Sequence, residues 1–96
     1  MKTALILGGT EDHIYLLEIL KKEGFNTVLV DYYHNPPAKE YSDVHVQEST
    51  LDFEKVLNIA EKYKADIVMT ACIDQALLTM AYVSEKLNLP CHLSFD

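Results

Sequence analysis

The sequence contains no tryptophan and only three glycines, three prolines and two cysteines among its 96 residues. The two cysteines, Cys72 and Cys91, are too few for a disulfide framework, so we expect a chain of the reducing cytoplasm. With 49% apolar and 24% charged residues, the composition is that of an ordinary globular protein and excludes a disordered chain. A chain of this length can bury one hydrophobic core but not two. We therefore predict a single domain over residues 1–96.

Positive charge is also scarce, with eight Lys and Arg against 15 Asp and Glu and a formal net charge of −7. Binding to nucleic acid depends largely on basic residues that displace counterions from phosphates, so a nucleic-acid partner is not expected. The same shortage argues against an anionic membrane surface. No apolar run approaches the roughly 20 residues of a membrane span. The apolar start is too short for a secretion signal and is followed by acidic Glu11 and Asp12.

Short apolar runs alternate with amphipathic segments along the chain. The runs predict strands, and the segments between them have helical spacing of their apolar residues. Gly24 is placed to end the first helix, Asp52 is placed to cap the second, and Asp74 or a neighbour is placed to cap the third. The predicted strands are Thr3–Leu7, Thr27–Val30, Val44–Val46, Asp66–Met69 and Pro90–Leu93. The predicted helices are 12–23, 53–63 and 75–87, and residues 32–42, which include Pro36-Pro37, are predicted as loop.

Strands that are apolar throughout and separated by helices are typical of a parallel sheet covered on both faces. We therefore predict a Rossmann-like α/β fold, a three-layer sandwich around a parallel sheet of about five strands in the order 3-2-1-4-5. The strand order reverses between strands one and four. A ligand crevice should therefore open above the carboxyl ends of these strands, lined by residues 8–13 and 70–75.

The Gly8-Gly9 turn between the first strand and the first helix is typical of the start of a dinucleotide site. Asp31 follows about 20 residues later, where an acid would hold a ribose hydroxyl. The second and third spaced glycines of that motif are missing, however, and Glu11 and Asp12 occupy the helix start where a pyrophosphate would rest. We expect tight-turn glycines, a helix capped by Glu11 or Asp12, an Asp31 that orders the next loop, and no dinucleotide cofactor.

Several motifs, spread over essentially the whole chain, resemble those of a known domain. They are Leu5-Ile6-Leu7-Gly8-Gly9, Gly24-Phe25-Asn26-Thr27-Val28, Val30-Asp31 with its Pro-containing loop, Tyr41-Ser42-Asp43 and Leu87-Asn88-Leu89-Pro90. In this order and spacing they resemble the pre-ATP-grasp domain, which opens carbamoyl phosphate synthetase large subunits, biotin carboxylases and many carboxylate–amine ligases. Gln75-Ala76-Leu77 is similar to part of a Gly-Gly-Gln segment of the carbamoyl phosphate synthetases, with Ile73-Asp74 in place of the glycines.

The resemblance implies the substrate-side domain of an ATP-grasp ligase, one that is not catalytic alone. In such enzymes ATP and magnesium bind between two later domains, which this sequence does not include. The complete enzyme forms an acyl-phosphate from a carboxylate and ATP, and an amine or other nucleophile then displaces the phosphate. The implied partners are an ATP-grasp domain in the same or another chain, a small-molecule substrate and, in some members, a second copy. A free-standing small-molecule-binding or regulatory module is the alternative.

The predicted crevice provides the candidate substrate-binding residues. Glu11 and His13 lead because a carboxylate and an imidazole can recognise an amine or a hydroxyl, although a solvated helix start explains them equally well. Cys72 is either an activated thiol at a helix start or a small packed side chain. Tyr32, Tyr33, His34 and Tyr41 form either a contact surface or loop packing. No catalytic, cofactor-binding or metal-binding residue is predicted. The full candidate set is Gly8, Gly9, Thr10, Glu11, His13, Cys72, Asp74 and Gln75.

Overall fold

The computed structural model describes residues 1–71 and 75–91, with only the backbone of Gln75. Strands and helices alternate, and a single turn of 3₁₀ helix, Lys39–Tyr41, interrupts the connection between the second and third strands. The strands are β1 (Thr3–Leu7), β2 (Asn26–Asp31), β3 (Val44–Gln47) and β4 (Ile67–Met69). The α-helices are α1 (Glu11–Lys22), α2 (Phe53–Lys62) and α3 (Gln75–Lys86).

The described strands form a parallel sheet in the order β3-β2-β1-β4. This arrangement confirms the predicted Rossmann-like fold and its reversal of strand order beside β1. The last two residues of the predicted fifth strand, 92 and 93, lie outside the described residues. Its first two residues, Pro90 and Cys91, belong to no strand.

The sheet separates two hydrophobic clusters, which makes three layers. Successive β1 side chains point to opposite faces. Leu5 and Leu7 pack with α2 and α3, whereas Ala4 and Ile6 pack with α1. All four are fully buried, as are Val28, Leu29 and Val30 of β2. Because both faces of the central strands are covered, their sequences are apolar throughout instead of alternating.

Two local predictions need correction. We expected α1 to begin at Asp12 with Glu11 or Asp12 as its cap, but the helix begins at Glu11 and Thr10 occupies the N-cap position without a side-chain cap bond. The Thr10 hydroxyl pairs instead with His13 Nδ1 at 2.9 Å. The segment predicted as pure loop contains the 3₁₀ turn, which starts at Lys39, two residues after Pro37. Proline restricts its own backbone and that of the residue before it, so residues further along can form a turn.

The second helix follows its sequence signals. Asp52 caps it, as predicted, by accepting a hydrogen bond from the Lys55 N–H at 3.1 Å. The predicted cap of α3, Asp74, lies outside the described residues. None of the helices in the described part of the chain is long and apolar enough to cross a membrane.

Candidate functional site

The turn that links β1 to α1 is built on two glycines with different surroundings. Gly8 has φ +107°, a left-handed conformation that a side chain would disfavour, and its N–H donates to Val30 O at 2.8 Å. Gly9 lies against Pro36, and its carbonyl accepts from the Ala38 N–H at 2.9 Å. The turn is therefore held against the end of β2 and the loop that follows.

Asp31, at the end of β2, connects this turn to that loop. One carboxylate oxygen accepts from the Gly9 N–H at 2.7 Å, and the other accepts from the Tyr33 N–H at 2.8 Å. The residue is 8% exposed. Both oxygens thus organise backbone, which is the loop-ordering role expected from the sequence. In a dinucleotide site, an acid at this position would instead offer its oxygens to a ribose.

A cleft of about 490 Å³ opens between the β1–α1 turn and the loop after β2. Thr10, Glu11 and Asp12 form its helix side, and all three are exposed. The opposite wall comes from the loop, through Tyr33, Pro36 and Pro37, with Asp31 and Gly9 also lining the cleft. A second groove of about 540 Å³ shares Glu11 and the two prolines, and it continues along the outer face of α1 past Tyr15 and Glu18.

The cleft is acidic. Glu11 and Asp12 lie in the first turn of α1, where the positive end of the helix dipole favours carboxylates. They also occupy the place where a phosphate would otherwise meet free N–H groups. The described residues contain no group of three or more His, Cys, Asp or Glu arranged to hold a metal ion. Glu11 and Asp12 therefore do not fit the phosphates of ATP, and a cationic or hydroxyl-bearing group suits them better.

His13 lies beneath the turn, outside the cleft. It is completely buried, and its ring bridges the start of α1 and the end of β4. Its Nδ1 lies 2.9 Å from Thr10 Oγ1, and its Nε2 accepts from the Ala71 N–H at 3.1 Å. The Thr70 hydroxyl donates to Leu7 O at 2.8 Å and lies 3.3 Å from the same Nε2.

The structure thus brings together only part of the predicted site. Gly9, Thr10 and Glu11 line the cleft, while Gly8 and His13 lie behind it. On the β4 side, Thr70 and Ala71 contact His13. Cys72 and Asp74 lie outside the described residues, and Gln75 opens α3. Substrate binding by the candidate set stays a prediction.

The loop wall of the cleft was not predicted as part of the site. Tyr33 and Pro36 line the cleft, although the sequence suggested only a contact surface or loop packing for this segment. One signal could have found them. The connection from β2 to β3 lacks a crossover helix and leaves β2 beside the β1–α1 turn, so its residues must cover the same edge of the sheet.

No family model and no curated protein matches the sequence. Similar solved structures do exist. Phosphoribosylglycinamide synthetase from Anaerococcus prevotii superposes with a TM-score of 0.82 at 22% identity, over 93% of this chain and 23% of its own. N5-carboxyaminoimidazole synthetase from Staphylococcus aureus, in a structure with ADP, gives 0.78 at 19% identity, over 93% of this chain and 23% of its own.

The same fold also occurs in a different setting. The enzyme WbmH from Bordetella bronchiseptica, in complex with NAD⁺, gives a TM-score of 0.71 at 16% identity over 93% of this chain and 36% of its own. At such identities these likenesses establish the Rossmann-like fold alone. The chain spans about a quarter of the length of the two synthetases.

Proposed function

We propose that this chain is the amino-terminal, substrate-side domain of an ATP-grasp ligase that joins a carboxylate to an amine. One observation carries the proposal: 93% of the chain superposes on phosphoribosylglycinamide synthetase with a TM-score of 0.82 while covering 23% of that enzyme. A domain of this size and fold is what the resemblance to pre-ATP-grasp domains implies. ATP and magnesium are then bound by further domains, and this chain is not catalytic alone.

In this role the cleft would hold part of the small-molecule substrate. Glu11 is the residue best placed for it, because its side chain is exposed and lies at the boundary of both grooves. A carboxylate here can accept hydrogen bonds from an ammonium or hydroxyl group of the substrate, and charge assistance makes such bonds stronger than neutral ones. Thr10 and Asp12 border the same space and add further acceptors.

The cleft argues against the NAD-binding use of the fold. Asp31 is at the position of the acid that would bind the ribose of a dinucleotide, but its two carboxylate oxygens accept hydrogen bonds from backbone N–H groups. The helix start carries two carboxylates, which would repel a pyrophosphate. A free-standing regulatory module remains the competing function. An assay of ligase chemistry in the full-length protein distinguishes it from the substrate-side domain of a ligase.

The test is an acyl-phosphate trap on the full-length protein. Incubation with Mg-ATP, hydroxylamine and a panel of carboxylates, bicarbonate included, should release ADP and yield a hydroxamate from the true substrate. Hydroxylamine replaces the unknown amine, since it displaces phosphate from the acyl-phosphate carbon. A carbamoyl phosphate synthetase-like enzyme would show bicarbonate-dependent ADP release. No carboxylate-dependent ADP release and no hydroxamate with any member of the panel would favour the regulatory module.

The contribution of the cleft is measured on the same enzyme with Glu11→Gln. Loss of one charge-assisted hydrogen bond of about 1.5–3 kcal/mol should lower kcat/KM for the substrate in the cleft about tenfold or more. The KM for ATP should stay unchanged, because ATP binds in another domain. Glu61→Gln, which removes an exposed carboxylate from α2, is the matched control. Wild-type constants for every substrate in Glu11→Gln would remove Glu11 from the site.

A further inference from the structure

His13 is enclosed by groups that define its protonation state. It is completely buried beneath the β1–α1 turn. The Ala71 N–H donates to Nε2 at 3.1 Å, and a backbone N–H can only donate. Nε2 must therefore carry a lone pair and no proton. The ring proton of the neutral imidazole then lies on Nδ1, and it points to Thr10 Oγ1 at 2.9 Å.

The Thr70 hydroxyl agrees with this assignment. Its single proton is directed to Leu7 O at 2.8 Å. The 3.3 Å approach of Thr70 Oγ1 to Nε2 is accordingly a contact between two acceptors and adds no second donor to the ring. A doubly protonated imidazole would place an N–H against the Ala71 N–H and remove its acceptor.

The ring also fits its position closely. A Cβ at Gly8 would lie 2.8 Å from His13 Cε1 and 3.0 Å from Nε2, so the imidazole occupies the space left by the missing side chain. Through Thr10 the ring reaches the cleft wall, and through Ala71 it reaches the segment that follows β4. His13 and Ala71 are 58 residues apart in the sequence, so the ring joins two segments that are distant along the chain.

We propose that His13 is a positioning residue, held as the neutral Nδ1–H tautomer, which fixes the substrate-side turn to the segment after β4. Only the kinetic consequence rests on the function proposed above. The imidazole touches no substrate. It holds Thr10, and with it the first turn of α1 that carries Glu11, in register with the carboxyl end of β4.

The tautomer is measured directly by ¹⁵N NMR of the full-length protein labelled at histidine. The resonance pair that disappears in His13→Gln belongs to His13. It should show a protonated Nδ1 and an unprotonated Nε2 at neutral pH. A protonated Nε2, in either the other neutral tautomer or the imidazolium, would overturn the proposal whatever reaction the enzyme performs.

Two substitutions then separate the two ring contacts. Gln places an amide oxygen near the position of Nε2 and can still accept from the Ala71 N–H, whereas Asn places its amide near Nδ1 and cannot. Hydrogen exchange at Ala71 should therefore stay near wild type in His13→Gln and become about tenfold faster in His13→Asn, the effect of losing one hydrogen bond. Equal exchange in both variants would contradict the proposal. His34→Gln, in an exposed loop position, is the control.

The kinetic measurement distinguishes positioning from general destabilisation. In the active enzyme each variant breaks one of the two ring contacts, so both should raise KM for the substrate in the cleft, by up to about tenfold, and leave KM for ATP unchanged. A wild-type KM for that substrate in both variants would contradict a positioning role, as would an equal rise in KM for ATP. An enzyme without ligase activity would overturn the proposed function, and the NMR and exchange measurements would still decide the role of His13.

Discussion

Gly8 and Gly9 are adjacent, but a side chain is excluded at each for a different reason. Gly8 combines φ +107° with the imidazole of His13, 2.8 Å from a Cβ placed there. Gly9 does not have that backbone conformation, but a Cβ there would lie 2.7 Å from the Pro36 ring. The sequence indicated a tight turn, and only the structure assigns the backbone constraint to the first glycine and the packing constraint to the second.

Alanine substitutions measure the two constraints. Gly24 has φ +88° and no heavy atom within 4 Å of a built Cβ, so Gly24→Ala isolates the backbone cost, about 1 kcal/mol. Gly8→Ala should cost about 2 kcal/mol or more, because the ring contact adds to the same backbone strain. Gly9→Ala should cost about 1 kcal/mol or more through packing alone. Urea melts give the values, and a Gly8→Ala no costlier than Gly24→Ala would contradict the role of His13 in filling that space.

Asp43 directly precedes β3 and connects the start of that strand to Thr27, near the start of β2. The Thr27 backbone N–H donates to its carboxylate at 2.9 Å, and the Thr27 hydroxyl donates to the same oxygen at 3.0 Å. The backbone hydrogen bond, then the hydroxyl and the charge of Lys21, lower the pKa of Asp43 against the opposing effect of its partial burial. A lowered pKa in the folded state means that the ionised form stabilises the fold.

Asp43→Asn should therefore destabilise the protein in a pH-dependent way. The stabilisation is complete above the pKa of an unfolded aspartate, about 3.9, and is lost as the pH falls through the lower folded pKa. At neutral pH we expect a loss of less than about 1 kcal/mol, since the side chain is 38% exposed and solvent screens its charge. Urea melts from neutral to strongly acidic pH should show the difference disappearing in acid. A difference that is constant with pH would contradict the prediction.

The helices α1, α2 and α3 end in the same way. Two residues after the last helical residue, the backbone has positive φ. The N–H of the next residue donates a hydrogen bond to the carbonyl five residues before it, inside the helix. These bonds run from Phe25 to Leu20, from Ala65 to Ala60 and from Leu89 to Ser84. The positive-φ positions are filled by Gly24, Lys64 and Asn88. Only the first is glycine, so only the first helix end carries a C-cap signal in its sequence.

Lys64 is the least suited of these residues to its conformation, with φ +54° and an exposed side chain. Lys64→Gly should raise the free energy of unfolding by about 1 kcal/mol, because glycine adopts this conformation without steric cost. Glu61→Gly, placed inside α2, should lower it by about 1 kcal/mol and serves as the opposite control. Thermal or urea melts measure both. A destabilised Lys64→Gly variant would show that the side chain makes a contact worth more than the strain.

At the level of elements, the sequence predicted most of the fold because burial leaves a direct pattern. The first four of the five apolar runs became β1 to β4, and the helical spacing gave α1 to α3, because each element buries a face that its sequence must make apolar. The predicted start of α1 and the prediction of pure loop over residues 32–42 were wrong. Thr10 takes the N-cap position with its hydroxyl paired to His13, and Pro36 and Pro37 do not prevent the residues after them from forming the 3₁₀ turn.

The site was less accessible to prediction than the fold. Strand order predicted the carboxyl edge of the sheet, with a crevice between β1 and β4 lined by residues 8–13 and 70–75. The described cleft lies at that edge but on the other side of β1, between the β1–α1 turn and the loop after β2, and residues 72–74 lie outside the described residues. The walls did not follow, because Pro36 and Tyr33 reach the cleft through the tertiary course of an irregular loop. The burial of His13 depends likewise on Thr70 and Ala71, which follow β4, the strand next to β1, and are distant from His13 in the sequence.

At the scale of the whole molecule, one sheet with two covered faces supports a cleft on its carboxyl edge. The chain has a net charge of −7, and the acidic residues Glu11 and Asp12 stand at that cleft. A chain with this fold could serve NAD-binding enzymes or ligases, as the similar structures illustrate. The charge at the helix start is the feature that favours a substrate-side role without a nucleotide.

Nucleotide binding tests this central claim most directly. Titration calorimetry of residues 1–96 with NAD and with Mg-ATP, after a cooperative urea melt has shown that the chain is folded, should give no binding in the micromolar range. The full-length protein, if it is the proposed ligase, should bind Mg-ATP under the same conditions, and neither residues 1–96 nor the full-length protein should bind NAD. Micromolar binding of either nucleotide by residues 1–96 would contradict the account, because it would place a nucleotide site at the acidic edge of this sheet.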